Sequence, residues 1–288
     1  MINNKNLSLV FIAGIGHSGS TAFDLLLGAQ PGITGMGEID VFLNPESRQT
    51  FIGRFDKYPC TCGEEPSNCP VWSGFKERLI DAGQASYGEL YGELIERTVK
   101  HTGANVMVDS SKNIYALKSV YNSLSEMGIS RDQFYVIHLT KDLRNYTASS
   151  VVNSNRSSSL LKNLRDWFIK NREIEDFIVS EGIQYLNVGY DELMLSTSHV
   201  MKEVLEFLAG ETDQMVLDMG KSGSHIISGN NMRLNQADKI YYDYRWFLNP
   251  RIQFWFSLLP NVTKLNRKWV YSNVEDSLVK DSKFEAPK

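Results

Sequence analysis

A chain of 288 residues with 42% hydrophobic and 22% charged side chains has the balance of a soluble globular protein and length enough for a sizeable core. Its net charge of −4 argues against a general nucleic-acid binder, whose footprint is basic, and no apolar run approaches the length that spans a bilayer. The first apolar run has no small-residue cleavage site after it, so neither a secretory leader nor a membrane partner is expected and the compartment expected is the cytoplasm.

That run, residues 7–13, reads as a first strand, and 20–30 as the helix that follows, stopped by Pro31-Gly32. A polar stretch with proline and cysteine covers 44–73 and reads as a long connection or lid. Helical periodicity returns over 74–82 and 86–100, with Leu90, Leu94 and Val99 on one face. A buried strand is expected from Asn105 to Val108, ending in Asp109-Ser110-Ser111-Lys112, then a helix through Leu117, Val120 and Leu124. Phe134 to His138 is another strand, and 142–154 and 159–179 are helices. Leu160, Leu164, Trp167, Phe168, Ile174, Phe177 and Ile178 form a core-facing stripe on the second. A strand at Tyr185–Val188, a helix over 197–208 and a helical C-terminal segment over 236–274 complete the pattern, with 275–288 a polar, frayed tail. Alternating strands and helices imply a three-layer α/β sandwich with a mostly parallel sheet, here expected as one domain over 1–274. Ligands of such sheets sit at the carboxyl ends of the strands.

Between the first strand and its helix lies Gly14-Ile15-Gly16-His17-Ser18-Gly19-Ser20-Thr21. Glycines let a backbone curl around an anion, and consecutive N–H groups with a helix N-terminus supply the donors. In nucleotide triphosphatases the second glycine of this loop is followed by lysine and then serine or threonine. Ser20 stands at that lysine position, so the loop suits a phosphate-like group other than the β/γ end of ATP.

The three cysteines cluster as Cys60-Thr61-Cys62-Gly63 and Cys69-Pro70-Val71-Trp72. A zinc site usually needs four ligands and no histidine lies nearby, His101 being the next along, so no metal is assigned. A disulfide from Cys69 to either partner is open, with free thiols the default in a reducing compartment.

The loop resembles the 5′-phosphosulfate loop of the sulfotransferases, which move a sulfuryl group from 3′-phosphoadenosine-5′-phosphosulfate (PAPS) to a hydroxyl or amine. The CxCG…CPxW pattern resembles a loop in a bacterial branch of that family, and Gly35-Met36-Gly37-Glu38 is similar to a segment whose glutamate, in the tyrosylprotein branch among others, is the general base. The resemblance implies PAPS as donor, the bisphosphate PAP as product and no required metal. It implies Glu38 as base, with Asp40 as fallback, and Gly16, His17, Ser18, Gly19, Ser20 and Thr21 around the phosphosulfate. His17 replaces the family's arginine or lysine and is expected as cation, donor or base. Lys112, at a strand end, is expected to stabilise the leaving group.

The 3′-phosphate segment R-D-P-R-x-x-x-x-S is matched by Lys141-Asp142-Leu143-Arg144-Asn145-Tyr146-Thr147-Ala148-Ser149. The resemblance makes Lys141 and Ser149 the 3′-phosphate ligands, with lysine losing the bidentate fork of arginine. Tyr190, in Val188-Gly189-Tyr190-Asp191-Glu192-Leu193, is expected beside the adenine, and Arg233, in Gly229-Asn230-Asn231-Met232-Arg233, is a further cation for the 3′-phosphate. The acceptor expected is a small molecule. A stretch with Asp238, Tyr241, Tyr242, Asp243, Tyr244, Trp246 and Phe247 suits a cationic or aromatic one, as in specialised metabolism. The alternatives are a P-loop kinase, with Asp109 as its nearest magnesium aspartate, and a nucleotide-binding regulator without catalysis. Oligomeric state is open.

Overall fold

The computed structural model describes residues 7–83, 85–153, 160–208, 213–234, 242–257 and 260–271. Among them, five strands form one parallel sheet: β1 (Ser8–Gly14), β2 (Ile33–Gly35), β3 (Val106–Lys112), β4 (Phe134–Thr140) and β5 (Gln184–Gly189), in the order β2-β3-β1-β4-β5. A sheet buried on both faces needs strands that are apolar throughout, and β1 is the case in point. Its alternation sends Leu9, Phe11 and Ala13 into one core and Val10 and Ile12 into the other.

The Val10 side packs α1 (Ser20–Gly28) and, further along, α9 (Tyr190–Leu195) and α10 (Thr197–Phe207). The opposite side packs α5 (Tyr87–Thr102), α6 (Ile114–Ser123) and α8 (Leu160–Ser180). A third cluster joins Trp167 of α8 and Leu143 of α7 (Leu143–Asn153) to Trp246 and to α11 (Pro250–Ser257) and α12 (Pro260–Trp269). No helix of the described residues is long and apolar enough to cross a membrane.

Two expectations change. β2 is absent from the sequence reading because three residues, Ile33-Thr34-Gly35, carry no period; pairing with β3 (Ile33 to Val106, Gly35 to Val108) makes them a strand. On α5, Val99 packs against the same core as Leu90 and Leu94, and Thr98 is buried too, its hydroxyl donating to the Leu94 carbonyl at 2.8 Å. The 44–73 segment is folded: α2 (Asp40–Leu43) leads into it, α3 (Pro45–Ile52) lies within it, and Phe55, Cys60, Cys69, Val71 and Trp72 are buried in the larger core. Helix α4 (Phe75–Ile80) follows directly. The 275–288 tail lies outside the described residues.

Candidate active site

β1 ends at Gly14, and the turn to α1 uses two left-handed residues, His17 (φ 69°) and Gly19 (φ 94°). A side chain at 19 would collide with the Tyr190 ring, its Cβ lying 2.1 Å from Cδ2, so only glycine fits there. No side chain caps α1, which leaves its first N–H groups without a side-chain acceptor at the edge of a cleft. Ser18 is buried, and its hydroxyl has no hydrogen-bond partner. N–H groups at the start of α1 that no side chain takes up are the condition an anion would satisfy.

The cleft, of about 470 Å³, opens at the carboxyl ends of β1, β3 and β4. Gly16, His17, Gly19, Ser20 and Thr21 line one wall. Glu38, Lys112, Lys141, Ser149 and Tyr190 line it as well, so residues from five separate stretches of sequence meet there.

Glu38 follows β2, in a turn held by Asp24 of α1. The fully buried Asp24 carboxylate accepts from the Gly37 N–H at 3.0 Å and from the Ser110 hydroxyl at 2.7 Å, tying the Glu38 turn to the end of β3. Burial raises Asp24 to about 7, and does the same for Asp109. At the end of β3, Lys112 sits at φ 71°, and it shares the left-handed region with His17 alone among described non-glycine residues. Such conformations are costly and gather at functional sites. Lys112 Nζ donates to Glu38 Oε1 at 2.5 Å, with both side chains about one-fifth exposed. Base and electrophile candidates are therefore in direct contact. His17 is held below its ordinary pKa, first by burial and then by the positive charges of Lys112 and Lys141, which favours the neutral ring.

At the other end, Lys141 is buried and donates to Ser149 Oγ at 3.2 Å, with Nζ 4.1 Å from the centre of the Tyr190 ring. Burial lowers its pKa, opposed by Asp191 and Asp243. The turn that carries it is fixed by Trp167, whose indole donates to the Lys141 carbonyl at 2.8 Å. Asp191 fixes it too, accepting from the Asp142 N–H at 2.7 Å and from Asn145 at 2.8 Å. Arg144 makes a forked pair with Asp142 and stacks over Trp246, which is structural work. Tyr190, expected beside an adenine, has its ring engaged by Lys141 and pressed on Gly19.

Arg233 is buried and does not line the cleft; its guanidinium donates to the Ile227 carbonyl at 2.9 Å and stacks on Tyr58. The neighbouring residues Asn230 and Met232 line the cleft instead, and the Asn230 N–H donates to Thr21 Oγ1 at 3.3 Å. The extra cation at the Lys141 end is Arg245, which the sequence reading missed. It lies in a segment with no period and no motif, so nothing short of the fold could place it there. Arg245 pairs with Asp243 at 2.6 Å, and Ser149 donates to the same carboxylate at 3.4 Å. These hydrogen bonds from Arg245 hold Asp243 below the usual carboxylate range.

The C-terminal aromatic stretch borders the same corner of the cleft. Asp243 is neutralised by Arg245, Tyr242 donates to Asp191 at 2.9 Å, and Trp246 is buried and donates to Tyr242 at 2.9 Å. Asp243 lines the cleft, Tyr244 and Phe247 are exposed, and Asp238 and Tyr241 lie outside the described residues.

No family model matches the chain, and no curated protein matches it. Among solved structures it is similar to the sulfotransferase domain of the Synechococcus PCC 7002 olefin synthase, at 18% identity and a TM-score of 0.50, over 86% of this chain and 85% of that one. At that identity the likeness speaks to the fold alone, a parallel α/β sheet flanked by helices.

Proposed function

We propose that this protein is a sulfotransferase that uses PAPS and sulfates a hydroxyl or amine of a small molecule. The observation that carries the reading is the cleft itself. A glycine-rich anion loop lies between a Glu38–Lys112 pair and a Lys141–Ser149 pair. The uncapped start of α1 fits a phosphosulfate, and the buried Lys141 with Arg245 fits a second phosphate.

When bound, PAPS supplies a sulfuryl group attached to a good phosphate leaving group. Glu38 takes the proton of the acceptor as its oxygen or nitrogen approaches. Lys112, in contact with that carboxylate, meets the negative charge that gathers on the departing phosphate, and neutral His17 donates a hydrogen bond to it. Loop N–H groups hold the 5′ end, while Lys141 and Ser149 hold the 3′-phosphate. Asp243 shares that corner through Ser149 and Arg245, so a phosphate arriving there exchanges one anionic partner of Arg245 for another.

A kinase reading is disfavoured by Ser20 at the loop lysine position. Its magnesium candidate, Asp109, is fully buried and occupied by the Tyr91 hydroxyl at 2.8 Å and the Ser111 N–H at 2.8 Å.

The test is thermal unfolding with adenosine 3′,5′-bisphosphate, AMP, and ATP with magnesium. At a hundred times its Kd the bisphosphate should add about 2.7 kcal/mol, and AMP much less at equal concentration. Equal or greater stabilisation by ATP with magnesium would return the kinase reading to the front.

A further inference from the structure

Away from the cleft, four sulfur and nitrogen side chains converge: Cys60, Cys62, Cys69 and His225, with ligand atoms all within 4.8 Å of one another. The sequence pattern stops at three ligands because the fourth lies 156 residues beyond Cys69. The fold brings it back. His225 belongs to an extended segment that covers the β2 edge, its N–H donating to the Gly35 carbonyl at 2.8 Å.

The cysteine turn is stitched to that same segment. The Thr61 hydroxyl donates to the Ser224 carbonyl at 2.6 Å and accepts from the Ile226 N–H at 2.9 Å, and the Trp72 indole donates to the His225 carbonyl at 2.6 Å. Gly63, at φ 93°, closes the tight turn after Cys62. Cys60, Cys69 and His225 are buried, and Cys62 closes the cluster from the solvent side.

Three of the spacings are close to those of a tetrahedral ion. Zinc bonds of about 2.3 Å to sulfur and about 2.0–2.1 Å to nitrogen put neighbouring sulfurs about 3.8 Å apart and sulfur and nitrogen about 3.6 Å apart. Here Cys60 and Cys69 Sγ are 3.7 Å apart, and His225 Nδ1 lies 3.3 Å from Cys69 Sγ and 4.0 Å from Cys60 Sγ. We infer that Cys60, Cys62, Cys69 and His225 bind one structural zinc ion. Four protein ligands leave no open position, so the ion is a staple and not a catalyst.

The staple has a definite load. The segment it pins continues into Ser228, whose carbonyl accepts from the Glu38 N–H at 3.4 Å, and into Ile227, which anchors Arg233. Zinc would thus fix the wall of the cleft to the folded 55–75 stretch. The inference stands on these four residues and does not depend on sulfuryl transfer.

The experiment uses untagged full-length protein purified under reducing conditions without chelator. Elemental analysis should find about one zinc per chain. Growth on cobalt should give the intense visible absorption and thiolate charge-transfer band of a tetrahedral thiolate site. Cys62→Ser alters the solvent-side ligand and leaves the buried packing intact. It should release metal to a chromophoric chelator faster by at least the roughly 10–100-fold that losing a mere outer partner costs. Metal-free protein that takes up no zinc on titration overturns the inference. So does the mass signature of a Cys60–Cys69 disulfide, or Cys62→Ser protein that holds zinc as tightly as the parent. Bisphosphate binding is read separately, so failure here leaves the functional reading untouched, and the reverse also holds.

Discussion

At the scale of single residues, the contact between Glu38 and Lys112 decides most. A base that acts on the acceptor proton should matter to turnover and little to donor binding. Glu38→Gln is therefore expected to lower kcat by about 10²–10⁴-fold while adenosine 3′,5′-bisphosphate binds within a few-fold of the parent, as read by steady-state kinetics and calorimetry. A kcat that survives would move the base to Asp40. The two arginines offer a second contrast. Arg245 lines the cleft and is half-exposed, whereas Arg233 is buried and holds the Ile227 carbonyl. Arg245→Ala should weaken the bisphosphate more than AMP, and Arg233→Ala should lower Tm with ligand preference unchanged. The reverse pattern would restore Arg233 to the phosphate site.

Among the elements, the turn from β1 into α1 is the most constrained. Gly19 combines φ 94° with a Cβ direction that runs into Tyr190, and Tyr190 in turn lies under Lys141. Gly19→Ala must strain the backbone by about 1–3 kcal/mol or displace the ring, and either disturbs both ends of the cleft. The expected outcome is a folded protein, by circular dichroism, whose bisphosphate-induced Tm shift is lost. A full shift would mean that the loop does not touch the ligand. Gly16 is the control. A Cβ there would meet nothing within 4 Å, so Gly16→Ala should be milder.

Over the whole molecule, buried titratable groups set the pH dependence of stability. Asp24 and Asp109 keep their protons up to about 7 in the fold, against about 3.9 for a free carboxyl. Between those values the folded state holds more protons than the unfolded one. Their contribution is full below about pH 3.9 and is lost as pH rises through about 7. His17 and His138 act in the opposite sense: burial lowers both, so they destabilise the fold as pH falls below about 6.5. Asp24→Asn, a neutral mimic, should flatten the decline in Tm between about pH 5 and pH 7. An unchanged slope would show that Asp24 is ionised throughout that window.

Much of this protein was legible from its sequence, for reasons that are local. An apolar run followed by glycines and an amphipathic stretch dictates strand, loop and helix, because pattern and turn chemistry act over a few residues. That logic reached β1, β3, β4, β5 and the loop, while the family resemblance marked out Glu38, Lys112, Lys141 and Ser149, which share one cleft. Other features depend on partners distant in sequence. β2 is a strand only because β3 pairs with it, and Arg233 is buried where the fold sets it against the Ile227 carbonyl and Tyr58. Arg245 reaches the cleft, and His225 reaches three cysteines, only after chain closure. The sequence by itself determined which chemical groups are available and the local elements that carry them. Tertiary structure alone decided which of them touch, since contact between residues more than a hundred positions apart is set by packing the whole sheet and its helices.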